Sequence, residues 1–175
     1  NMAEHDLSEM VYRITQGREK IRLDKSAKEK KNINSWQMLA VVSSNQSLMD
    51  KVTNLKGDAG GEMNRIFEYE FPNGVLFDGV QSYRMFMKNY GVAGEVYAKY
   101  LVDNQEVHTD RLLQIQAAIE RDAKCKPEER FWAITAACAL YGAGIAKKLG
   151  LFHVDLVNLR SWVVTAINRM RGVKD

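Results

Sequence analysis

The chain has 175 residues, 46% of them apolar and 27% charged, with a formal net charge of +3. This is the composition of an ordinary globular protein of one domain, or one domain with a small appendage, and it excludes a disordered or collagen-like chain. No apolar run approaches the roughly 20 residues needed to span a bilayer. The opening NMAEHDLSEM is acidic and polar, unlike a signal peptide. The two cysteines, Cys125 and Cys138, read as lying on separate helices, so neither a zinc knuckle nor a disulfide framework is indicated, and a reducing cytoplasm is the expected compartment.

Two textures follow one another along the chain, and they predict an α+β fold that is predominantly α. Residues 1–78 mix helix, short strands and Gly-rich turns. Leu7, Met10, Val11 and Ile14 recur at helical spacing, with Asp6 as a cap and Gly17 as the stop. Residues 21–23 and 35–43 have strand composition, and the polar run between them reads as a hairpin or a long excursion. Large aromatics at strand positions usually pack inward, so Trp36 is expected in the core. A helix is predicted over 46–56. Residues 66–71 then alternate, with Ile66, Glu68 and Glu70 on one face and Phe67, Tyr69 and Phe71 on the other, before Pro72-Asn73-Gly74 ends the run.

Residues 79–175 are almost all of helical pattern. Helices are predicted over 79–89, 92–103, 106–124, 127–149 and 154–171, punctuated by Gly91, Pro127 and Gly150. Pro127 followed by Glu128 and Glu129 suits a helix start, because a first-turn proline forfeits no hydrogen bond and acids favour the positive dipole end. Phe131, Ile134, Cys138, Tyr141 and Ile145 form an apolar stripe. The small residues between them leave a slim face that another helix can approach closely.

Few residues carry obvious chemistry. His5, His108 and His153 are scattered without metal-ligand spacing, and no metal site is predicted. There is no Gly-x-Ser-x-Gly, and GAGIAKK lacks the Gly-Lys-Ser/Thr ending of a phosphate loop. Residues 17–31 are different. Arg18, Lys20, Arg22, Lys25, Lys28, Lys30 and Lys31 against three acids give a local charge of +4, more than the whole chain carries. The segment reads either as a solvated loop or as a phosphate-contacting surface, with Arg18, Lys20, Lys25, Lys28, Lys30 and Lys31 as the nucleic-acid-binding candidates. A second basic stretch holds Arg160, Arg169, Arg171 and Lys174, where helix-dipole partnership is the competing explanation. The apolar run 38–42 ends in Ser43, Ser44, Asn45, Gln46 and Ser47 just before a helix. Ser44 or Asn45 could cap that helix; alternatively Asn45 is a polar group aimed at a ligand from a rigid strand tip.

In order, these pieces resemble the second half of an AAA+ ATPase core followed by its helical lid. GREKIRL, NSWQMLAVVSSN, NYGVAGEVY and ERFWAITAACALYGAGIAKKLGL are similar to a phage and mobile-element branch whose members work with primases. The resemblance spans nearly the whole chain. It implies a partial AAA+ core over 1–78 and a lid-like helical domain over 79–175. It places Asn45 at the sensor 1 position, Arg65 at that of the arginine finger acting on a neighbouring subunit, and Arg130 at that of sensor 2, while residues 21–37 resemble the hairpin inserted before sensor 1. It further implies ATP and Mg²⁺ in an intact, ring-forming DNA helicase of the cytoplasm of a bacterial host. The Walker A loop and Walker B carboxylates are missing, so the chain is expected to be a C-terminal portion that is inactive alone and holds no cofactor by itself. The alternative is a non-catalytic helical module that binds nucleic acid or protein, or that oligomerises.

Overall fold

The computed structural model describes residues 4–19, 34–55, 60–71 and 78–174. These residues are predominantly helical, and they belong to two compact units. One comprises Asn1–Glu68 with Met170–Asp175, the other Tyr69–Arg169.

In the first unit, helix α1 (Glu4–Gln16) packs on α2 (Leu48–Leu55) and on the short α3 (Gly60–Met63). Leu7, Met49, Val52, Met63 and Met170 are its buried apolar residues. Leu7 is thus the deeply buried member of the predicted α1 face, while Met10, Val11 and Ile14 are half-buried. The helix begins at Glu4, so Asp6 lies inside it and is not its cap. Gly17 ends it at φ +67°, a conformation that L side chains rarely adopt, and an added Cβ would stand 2.9 Å from the Trp36 carbonyl oxygen.

The turn at Gly17 brings the chain back on itself. Trp36 N–H donates to the Gly17 carbonyl (2.8 Å), and Glu19 N–H to that of Asn34 (2.9 Å). The Asn34 amide donates to the Glu19 carboxylate (2.9 Å). Arg18 and Ser35 form an isolated antiparallel bridge. Residues 19 and 34, which flank the basic run, are therefore fastened to each other.

Among the described residues the predicted strands are not formed as strands. The 21–23 segment lies outside the described residues. Residues 36–43 and 66–71 are in neither helix nor ladder. The physical reason is pairing: a strand's main chain is satisfied only by a neighbour, and no described strand is hydrogen-bonded to either run. Trp36 is half-buried instead of being a core residue, and its indole N–H donates to the Ile14 carbonyl (3.0 Å) at the end of α1.

The second unit contains α4 (Gly79–Lys88), α5 (Val92–Asp103), α6 (Gln105–Ala123), α7 (Arg130–Lys148) and the first part of α8 (Leu156–Lys174). Most of its helix–helix packing is between α6 and α7. A 3₁₀ turn, Pro127–Glu129, leads into α7. Glu129 is fully buried there, and its carboxylate accepts the Lys126 N–H (2.8 Å). The buried face of α7 is Trp132, Ala133, Ala136, Ala137 and Leu140, followed by Ile145 and Ala146. This corrects the predicted stripe: Phe131, Ile134 and Tyr141 are half-buried flanks, and Cys138 is exposed. The alanine face allows the closest approach, and Trp132 fills the space at its start. Cys125 sits in the connection after α6, not on a helix, and neither cysteine is in a disulfide.

Candidate functional site

Asn45 lies in an exposed bend two residues before the Ser47 that caps α2. The local hydrogen bonds explain its neighbours and leave it out. Ser47 Oγ accepts the Asp50 N–H (3.0 Å), and Ser44 Oγ accepts the Gln46 N–H (3.2 Å). The two foremost helical amides, of Leu48 and Met49, donate to one oxygen of the Glu68 carboxylate at 2.8 and 3.1 Å. Glu68 is in turn positioned by its own N–H on the Met170 sulfur (3.2 Å). The positive end of α2 is thus filled by the chain's own anion. Neither Ser44 nor Asn45 is the cap; Ser47 is, aided by Glu68. Among the described residues the Asn45 side chain makes no hydrogen bond.

Arg65 follows α3, half-buried. Its guanidinium stacks 4.6 Å above the Tyr12 ring and donates to the Gly61 carbonyl. Beside it, Glu62 is 3% exposed and accepts the Ser8 hydroxyl (2.6 Å) and the Tyr12 hydroxyl (3.4 Å). An added Cβ on Gly61 would stand 2.2 Å from the Tyr12 hydroxyl oxygen, so only glycine fits as the structure stands. Ser8, Tyr12, Glu62 and Arg65 make a buried polar cluster between α1 and α3 that sequence reasoning missed. Its one local signal is the Gly60-Gly61 pair preceding an acid. Along α1 runs an open groove of about 450 Å³ lined by Glu9, Met10, Arg13, Ile14, Trp36 and Met38.

Arg130 belongs to the second unit, exposed at the start of α7, with its guanidinium 5.0 Å from the Phe131 ring centre. Of the nucleic-acid candidates, Arg18 is exposed at the paired neck, while Lys20, Lys25, Lys28, Lys30 and Lys31 lie outside the described residues. Arg160, from the C-terminal basic stretch, is committed to Asp122 of α6 (2.9 Å).

A second polar group joins α5, α6 and α7. His108 Nδ1 is 2.7 Å from the Tyr141 hydroxyl, and its Nε2 is 3.0 Å from the Leu101 carbonyl. A carbonyl only accepts, so Nε2 carries a proton, and in the neutral ring Nδ1 accepts from the tyrosine. Lys148 Nζ donates to the Tyr100 hydroxyl (3.0 Å). Burial, and then the neighbouring Tyr141, push the Tyr97 hydroxyl above its ordinary pKa. Cys138 is exposed as a residue, but partial desolvation by the surrounding protein still raises its thiol pKa, which makes it a poorer nucleophile.

Comparison with protein families, with curated proteins and with solved structures found no match. Among the described residues no group of three or more His, Cys, Asp or Glu side chains could hold a metal ion. Nor is any helix among them long and apolar enough to cross a membrane.

Proposed function

We propose that this chain is the C-terminal part of an ATP-driven nucleic-acid motor of the phage type, a DNA helicase working with a primase, and that it grips DNA through the basic segment 18–31. The observation that supports this reading is the paired neck. Glu19 and Asn34, on either side of residues 20–33, are hydrogen-bonded to each other, so the two ends of a run with a local charge of +4 lie side by side. Lysines presented in that way suit contact with phosphates of any sequence, which is what a translocating protein needs.

The sequence carries no Walker A loop, and the α2 N-terminus beside Asn45 is already filled by Glu68. In this reading Asn45, Arg65 and Arg130 serve a nucleotide held by other parts of an intact, ring-forming motor. The unengaged amide of Asn45 is available for such a role. Arg65 would have to leave its seat on Tyr12 and Gly61 before reaching a neighbouring subunit.

Nucleic-acid binding is tested by salt titration of single-stranded and duplex DNA. Replacing Lys25, Lys28, Lys30 and Lys31 with Ala is expected to weaken binding equally for all sequences. Each lost phosphate contact should lower the log–log salt slope by roughly 0.7 to 0.9. An unchanged slope sinks the proposal for this segment. A second reading, a non-catalytic binding or oligomerisation module, is favoured by α4, none of whose residues is buried and which exposes Tyr83, Phe86 and Met87. The absence of any DNA binding would leave that reading in place.

A further inference from the structure

Residues 37–43, QMLAVVS, are held at both ends and unpaired between them. At one end the Trp36 main chain and indole are bonded to Gly17 and Ile14; at the other, Ser44 and Ser47 shape the turn into α2. No main-chain group of 37–43 has a hydrogen-bond partner among the described residues. The apolar side chains between are in solvent: Met38 is 60% exposed, Leu39 75%, Val41 90% and Val42 62%. Residues 32–49 contain no charge at all. Natural edge segments are usually protected by a lysine, a proline or a bulge, and this one has no such charge or proline.

We infer that residues 37–43 are the contact by which two copies of this chain associate, pairing as antiparallel strands about a two-fold axis at Ala40. The occupant follows from the order of side chains. A two-fold interface must be complementary to itself. About Ala40 this segment is chemically palindromic. Met38 meets the partner's Val42, Leu39 meets the partner's Val41, and polar Gln37 meets the partner's Ser43. Opposed residues project to the same face of the ribbon, so both apolar pairs align. The smallest side chain falls on the axis, where two copies of the same residue must fit. β-Branched and aliphatic side chains also favour the paired conformation. This inference does not rest on DNA binding; it is an alternative to the ring assembly of the proposed motor, because a two-fold pair closes on itself.

The test is the oligomeric state of the 175-residue chain by analytical ultracentrifugation over a wide concentration range. A concentration-dependent dimer is expected. Because Ala40 is exposed in the single chain, replacing it should leave the helical circular dichroism unchanged. Ala40→Lys alone and Ala40→Glu alone each set like charges opposite one another and should abolish the dimer. Mixing the two should restore a one-to-one heterodimer, since only the register centred on residue 40 makes them neighbours. A chain that stays monomeric at every concentration overturns the inference. So does a dimer indifferent to Ala40→Lys, a mixture that fails to associate, or open-ended assembly in place of a closed pair.

Discussion

Ser47 and Asn45 stand two positions apart before the same helix, but only Ser47 is bonded into it. Ser47→Ala should cost about 1 kcal/mol, the usual value of an N-cap. Asn45→Ala should leave chemical denaturation midpoints unchanged, because nothing in the fold uses its amide. A loss of stability in Asn45→Ala comparable to that in Ser47→Ala would assign Asn45 a structural duty. Gly61 offers a sharper case. Its hydrogen faces the Tyr12 hydroxyl, and a methyl there would stand 2.2 Å from that oxygen. Overpacking of this kind costs roughly 1–3 kcal/mol. Tyr12→Phe removes the clashing atom along with its bond to Glu62, so Gly61→Ala should cost less in the Phe background than in the wild type. Equal costs in a double-mutant cycle would show that the ring moves aside freely.

Apart from the one-turn α3, which was not expected, the helices were legible in the sequence to within a few residues because their signals are local. The range read for α5 from Gly91 and the pattern after it, 92–103, is the range observed, and Pro127 with its acids marked the entry to α7. What the pattern could not reveal is non-local. Glu68 reads as one tooth of an alternating strand, yet its carboxylate closes α2 twenty positions earlier in the chain. Ser8 and Glu62 meet across a separation of 54 residues. The alternation of 66–71 and the apolar run of 38–42 are strand compositions without a described strand beside them; composition states a preference, and pairing requires a partner. Within α7 the predicted stripe of large apolar residues is buried only at Ile145, whereas the small residues expected to allow close approach, Ala136 and Ala137 among them, supply much of the packed face. Trp132→Ala, at the head of that face and 0% exposed, should cost about 3–5 kcal/mol in urea unfolding. Tyr97 gives the same packing a pH signature. Its hydroxyl pKa is raised in the folded state, so the folded chain holds the proton more tightly than the unfolded chain. Its contribution is complete below the unfolded value near ~10 and is lost as pH rises through the folded value. The melting temperature of the wild type should therefore fall more steeply in that alkaline window than that of Tyr97→Phe.

At the scale of the whole molecule, the missing phosphate loop governs what the chain does alone. Phosphoryl transfer needs the phosphates and their metal held in place, so the purified 175-residue chain should not hydrolyse ATP. Turnover abolished by Asn45→Ala would overturn that expectation. The first unit also includes the far end of the sequence. Met170 is 3% exposed there, and its sulfur accepts the Glu68 N–H across 102 positions. Deleting Met170–Asp175 should loosen the Glu68 clasp and speed hydrogen exchange at the Leu48 and Met49 amides, while exchange at α6 stays slow.

That arrangement sets an order of events during synthesis. The α6–α7 pair joins neighbours in the chain and can form as soon as both helices have left the ribosome. The first unit has Glu68 made early but lacks Met170 until α4 to α7 and most of α8 have been added. It must wait, incomplete, while about a hundred residues are added, roughly 5–20 s at ordinary elongation rates of about 5–20 residues per second. Within the stretch from α1 to α8, the unit whose residues are made earlier is therefore the one completed later.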